Sequence, residues 1–95
     1  MERVKELTSF YSAIKDDHRI SSTHISLYMT LFQVYNLSRF QTPLSITRSG
    51  VMKVAKINGL DTCHKCIKDV NDFGYIHYLP SYNPAVGSQV YLIEL

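Results

Sequence analysis

The feature that most constrains the fold of this chain is a pair of short helical segments joined by an Asn58-Gly59 turn. The first segment follows Thr47, a favourable N-cap residue, and runs to about residue 56; the second covers 60–72. Asn and Gly both tolerate the backbone dihedral angles of a sharp reversal. We therefore expect the second helix to project from the body of the protein, as in a helix-turn-helix unit.

The segments around this pair predict a small sheet and two further helices. Residues 44–46 form a short β-type run, and 75–79 and 89–93 alternate as two strands of a hairpin with a long loop. Upstream, residues 2–17 and 23–38 show helical periodicity, and Ser21 and Ser22 are N-cap candidates for the second of these helices. The predicted class is α+β, with four helices and a small antiparallel sheet made of the short strand and the C-terminal hairpin.

This order resembles the winged helix-turn-helix family, in which the hairpin is the wing. The resemblance covers 44–95 and depends on the Thr47 cap, the apolar positions after it, Thr62 early in the second helix and Gly74 before an Ile-containing strand. It is closest to small bacterial or mobile-element regulators and to DNA-binding domains of phage-type replication proteins. The resemblance implies a transcriptional regulator, or a replication or excision factor, that binds double-stranded DNA by laying helix 60–72 in the major groove.

The whole chain, 1–95, is predicted to be one domain: an extra N-terminal helix (1–20), a central helix (21–43) and the helix-turn-helix with its wing (44–95). The N-terminal helix carries an apolar stripe, with Phe10 beside it: Val4, Leu7, Tyr11 and Ile14. This stripe can pack on the domain's own core or build a two-fold homodimer. Of these two arrangements, we expect the homodimer.

Charge is distributed unevenly along the chain. The net charge is +2, but residues 39–68 hold six basic residues and one acidic residue, a net of +5, and the remainder is −3. Such asymmetry attracts phosphates locally. Within this segment the resemblance implies DNA contacts by the following residues: Arg48, Lys53, Thr62, His64, Lys65 and Lys68.

Two features of the sequence argue against DNA binding. Asp61 places a negative charge near the start of the second helix, and the wing tip, 81–88, contains neither Lys nor Arg. The alternative function is therefore a winged-helix module that docks a protein partner through its uncharged wing, with Tyr82 as the contact residue.

Other chemistry-bearing residues have simpler explanations. Cys63-His64-Lys65-Cys66 is a C-x-x-C, but it lacks the second ligand pair of a zinc site and a thioredoxin-like strand before it, so two buried thiols are expected. His18 and His24 flank a helix start and are expected to cap it or lie on the surface. We find no nucleophile–base pair, and we expect no enzyme, metal, cofactor or small-molecule ligand.

The N-terminus lacks an apolar signal segment, and no apolar run approaches the roughly 20 residues of a membrane span. The sequence therefore predicts a cytoplasmic protein with no membrane partner.

Overall fold

The computed structural model describes residues 2–81 and 87–95, except for the side chains of 2–6. The described residues form four helices and one three-stranded antiparallel sheet, which confirms the α+β class. The elements are α1 (Glu2–Ile14), α2 (Ser22–Leu37), β1 (Leu44–Ile46), α3 (Arg48–Ala55), α4 (Leu60–Asp72), β2 (Ile76–Leu79) and β3 (Ser88–Leu92). No helix in the described part of the chain has the length and apolar character that a bilayer crossing requires.

The sheet has the strand order β1-β3-β2, so the last strand lies in the middle. Leu44 is opposite Val90, and Ile76 is opposite Leu92. Strand β1 precedes α3 and pairs with β3, the last strand of the hairpin. The sheet therefore joins the chain segments that come before α3 and after α4. Gly87 is required at this junction, since a Cβ there would lie 2.9 Å from the Ile46 carbonyl oxygen.

Helix α2 is the centre of the core. Ser21 caps it in a reciprocal box: the Ser21 side chain accepts from the His24 backbone N–H, and the His24 ring accepts from the Ser21 N–H at 2.9 Å. Its buried residues are Leu27, Tyr28, Thr30, Leu31 and Phe32. The predictions of a serine cap, a capping role for His24 and a central helix are therefore confirmed.

Helix α1 packs on this core with a different stripe from the predicted one. Phe10 is 1% exposed and stacks on Tyr28 with ring centroids 3.7 Å apart, whereas Tyr11 is 46% exposed. Within one chain Phe10 takes the core position that the predicted stripe would give to Tyr11, because positions 7, 10 and 14 fit a helical face as well as 7, 11 and 14. The helix also ends at Ile14 rather than at residue 17. The packing occupies Phe10 and Ile14 within one chain, and the homodimer through α1 stays a prediction.

The turn between α3 and α4 uses Lys56 rather than Asn58. Lys56 has a φ of 61° and Gly59 a φ of 92°, and Asn58 is not among the residues with positive φ. The left-handed Lys56 ends α3, and its N–H donates to the Met52 carbonyl. The predicted turn is in place, but its first left-handed residue was misassigned.

The hairpin strands differ from the predicted ones by one residue: β2 begins one residue later, and β3 lies one residue earlier at both of its ends. Strand β2 begins at Ile76 because the Tyr75 N–H donates to the Val70 carbonyl and so belongs to the end of α4. Strand β3 covers Ser88–Leu92.

Candidate nucleic-acid interface

Helix α4 buries one face and presents the other to solvent. Cys63, Cys66, Ile67 and Val70 are buried, as their helical spacing predicts. Burial raises the pKa of both thiols, that of Cys66 to about 12. The two cysteines are therefore neutral thiols of the core, which confirms the expectation from the sequence.

The outward strip of α4 carries charges of both signs. Six residues line a shallow depression along it: Asp61, His64, Lys65, Lys68, Asp69 and Asp72. The two lysines lie in the middle of the helix, and Asp61 and Asp72 lie near its ends. The strip is therefore not uniformly basic, and only its central part is suited to phosphates.

A more enclosed groove of about 400 Å³ lies between the helices and the hairpin. We name it the helix–hairpin groove. Its helical wall consists of Arg48 from α3 and of His64, Lys68 and Asn71 from α4, and its hairpin wall of Tyr78, Pro80, Ser81 and Ser88. None of the described lining residues is acidic, and two of them, Arg48 and Lys68, are basic.

The basic side chains of the groove are without partners in the described part of the chain. The ion pair Arg19–Asp17 and the hydrogen-bonded pair His24–Asp69, which are found there, do not involve Arg48 or Lys68. His64 Nδ1 is shielded from solvent and has no hydrogen-bond partner among the described residues. Arg48 and Lys68 do not stabilise the fold through charge pairing, so they are available to an external anion.

The hairpin wall is held in place by hydrogen bonds. The Asn71 Oδ1 accepts from the Tyr78 N–H at 2.8 Å, which ties the end of α4 to β2. The Ser88 hydroxyl accepts from the Tyr78 hydroxyl at 3.4 Å and from the Ser81 N–H at 3.3 Å. The base of the hairpin therefore has a defined position relative to the helical wall.

On the side of α4 away from the groove, the charged and polar side chains described next are hydrogen-bonded to one another. The His24 Nε2 lies 3.1 Å from the Asp69 Oδ2, which joins α2 to α4. Beyond it, Asp17 accepts from the Arg19 side chain at 2.9 Å and from the Tyr75 hydroxyl at 2.7 Å. We name these five residues the paired flank.

The electrostatics of the paired flank follow from these contacts. The Arg19 guanidinium, together with the Tyr75 hydroxyl, holds the pKa of Asp17 well below its usual range. Burial, reinforced by the bond to Asp17, raises the pKa of Tyr75 to about 12. The Arg19 guanidinium also lies 4.3 Å from the centre of the Phe73 ring, a cation–π contact at the end of α4.

The predicted DNA-contacting residues divide into three groups. Arg48, His64 and Lys68 meet in the helix–hairpin groove. Lys65 lies beside it on the outward strip, whereas Lys53 and Thr62 are exposed but line neither cavity. Thr62 is separated from His64 because residues two positions apart point to nearly opposite sides of a helix.

Sequence reasoning did not identify the remaining groove residues. His64, Lys68 and Asn71 follow i, i+4, i+7 spacing, which was an available signal for Asn71. Tyr78, Ser81 and Ser88 belong to the hairpin, and only the fold brings them to α4. The predicted partner contact Tyr82 lies in 82–86, outside the described residues.

No known protein family, curated protein or solved structure matches this chain. The residues themselves therefore carry the functional argument.

Proposed function

We propose that this chain is a winged helix-turn-helix protein that binds double-stranded DNA in the cytoplasm, with α4 as the helix that enters the major groove. The order of α3, turn, α4 and hairpin supports this assignment, as does the pairing of β1 with β3, which joins the strand before α3 to the last strand of the hairpin. The side chains of α4 that face solvent belong to a helix whose opposite face is anchored in the core.

The observation that carries the proposal is the set of unpaired basic side chains in the helix–hairpin groove. Arg48 and Lys68 come from two different helices and have no carboxylate partner in the described residues. Two cations that converge in this way can neutralise phosphates of one DNA strand and release its counterions. Lys65 lies on the adjacent outward strip, where it can reach a base edge or the next phosphate.

The acidic residues of α4 restrict how DNA can approach. Asp61 and Asp72 lie near the two ends of the helix and repel phosphates there. We therefore expect DNA to cross the middle of α4. With contacts by Arg48, Lys65 and Lys68, the logarithm of the binding constant should fall against the logarithm of salt concentration with a slope of about −3.

Fluorescence anisotropy with labelled duplexes of random sequence, measured at several salt concentrations, tests this function. Lys68→Gln should weaken binding about three- to tenfold and reduce the salt slope by about 1. Lys15→Gln removes the same charge from an exposed position outside the groove and should have much less effect. Absence of binding at low salt, or equal weakening by the two variants, would contradict the proposal.

A further inference from the structure

We propose that the helix–hairpin groove is also a binding site for a small phosphorylated ligand, and that this ligand competes with DNA. The first part depends on the groove alone. The competition rests on the DNA-binding function proposed above. The groove volume of about 400 Å³ falls within the range of small-molecule sites, roughly 300–1,000 Å³, and exceeds what one backbone phosphate fills.

The helical wall provides donors for a phosphoryl group. The Arg48 guanidinium presents a planar fork of N–H groups that matches two phosphate oxygens, and the Lys68 ammonium adds a positive charge from the neighbouring helix. No carboxylate on the lining neutralises either one. Of the common biological groups, a dianionic phosphoryl group uses this arrangement most fully.

His64 adds a third polar group to the same wall. Its Nδ1 is shielded from solvent and has no hydrogen-bond partner in the described residues, whichever ring nitrogen carries the proton. A hydrogen bond from its Nε2–H to a ligand oxygen is part of the proposal.

The hairpin wall suits the uncharged body of such a ligand. Tyr78 and Pro80 supply apolar surface, and Ser81 and Ser88 supply hydroxyl groups. A sugar phosphate or a mononucleotide combines these properties. The wall is already fixed by the bond between Tyr78 and Asn71, so little ordering is needed on binding.

Competition with DNA follows from shared residues. The phosphoryl group would occupy Arg48 and Lys68, which are the side chains that we assign to the DNA backbone. A ligand that binds the free protein and not the DNA complex shifts the equilibrium away from DNA. The groove would in this way couple DNA binding to the concentration of a phosphorylated metabolite.

A DNA-free titration of the full chain followed by ¹H–¹⁵N NMR tests the site directly. The probes are inorganic phosphate, adenosine 5′-monophosphate and adenosine, at constant ionic strength. We expect saturable shifts at the backbone amides of His64, Lys68, Asn71 and Tyr78 with both phosphate-bearing probes and none with adenosine. Lys68→Gln should weaken the affinity about tenfold, as expected for a lost charged hydrogen bond.

Two matched variants control the titration. Lys15→Gln should change the affinity less than twofold, and His64→Gln should weaken it while the spectrum stays that of the folded protein. Shifts that do not saturate, or equal weakening by Lys15→Gln and Lys68→Gln, would overturn the site. Because no DNA is present, this result is independent of the proposed function.

A second experiment tests the competition between this ligand and DNA. Adenosine 5′-monophosphate should raise the apparent Kd for a labelled duplex at matched ionic strength, and adenosine should not. An unchanged Kd at saturating nucleotide would overturn the regulatory part of the proposal.

Discussion

Charged side chains lie on both sides of α4, but those on one side have partners within the protein and those on the other have none among the described residues. On the paired flank, Asp69 contacts His24 at 3.1 Å and Asp17 binds both Arg19 and Tyr75. In the helix–hairpin groove, Arg48 and Lys68 have no such partner in the described part of the chain.

This difference separates charges that serve folding from charges that serve binding. A paired charge stabilises the folded chain and is already satisfied, so it offers little to a ligand. An unpaired cation contributes little to folding and keeps its full interaction for an external anion. The sequence shows that the segment 39–68 has a net positive charge, but it does not show which of its charged side chains have partners in the folded protein.

The largest expected effect concerns the packing that holds the paired flank in position. Phe10 is 1% exposed, stacks on Tyr28 and meets the ring of Tyr75 edge-on at 5.7 Å. Phe10→Ala should lower the free energy of unfolding by about 3–5 kcal/mol, measured by urea denaturation. Tyr11→Ala, at an exposed position, should cost less than about 1 kcal/mol. Equal losses would mean that α1 does not pack through Phe10.

The next effect concerns the link between α2 and α4. His24 caps α2 through Ser21 and contacts Asp69, so His24→Ala should destabilise the protein by about 1–2 kcal/mol in thermal or urea unfolding. Its affinity for DNA should stay within about twofold of the wild type, since the groove is untouched. A His24→Ala variant that folds but has lost DNA affinity would contradict the proposed separation between charges that serve folding and charges that serve binding.

A smaller effect is the pH dependence of stability. The pKa of Asp17 is lowered by folding, so its contribution is complete above the ordinary carboxyl pKa of 3.8 and is lost as the pH falls below it. The Tyr75 pKa is raised from 10.0 to about 12, so its contribution is present below pH 10 and is lost as the pH rises from 10 towards 12.

Melting temperatures across pH test these two statements separately. Asp17→Asn should flatten the acid side of the profile and Tyr75→Phe the part of the alkaline side above pH 10. A profile with unchanged slopes in both variants would show that the bond between Asp17 and Tyr75 does not contribute.

Much of the fold could be predicted because its signals are local. The span of α4, the N-caps Ser21 and Thr47 and the strand 44–46 each depend on neighbouring residues. The errors arose where local signals did not decide the outcome: Phe10 and Tyr11 fit one helical face equally well, and Lys56 takes a left-handed conformation that is more usual for Asn.

Less of the candidate site could be predicted because its walls are distant in sequence. Arg48 and Lys68 were named from their positions on helices, but the hairpin wall depends on the hydrogen bonds of Tyr78 and Ser88. The bond between Asp17 and Tyr75 spans 58 positions and leaves no pattern in the sequence. Whether a charge is paired is therefore a property of the tertiary structure.

The most direct test of the central claim compares two adjacent residues of α4, Lys68 and Asp69, by measuring unfolding free energy and DNA affinity on the same samples. Lys68→Gln should leave stability within about 0.5 kcal/mol of the wild type and weaken DNA binding about three- to tenfold. Asp69→Asn should lower stability by about 0.5–1 kcal/mol without weakening DNA binding. A Lys68→Gln variant that is destabilised as much as Asp69→Asn and binds DNA as well as the wild type would contradict the account.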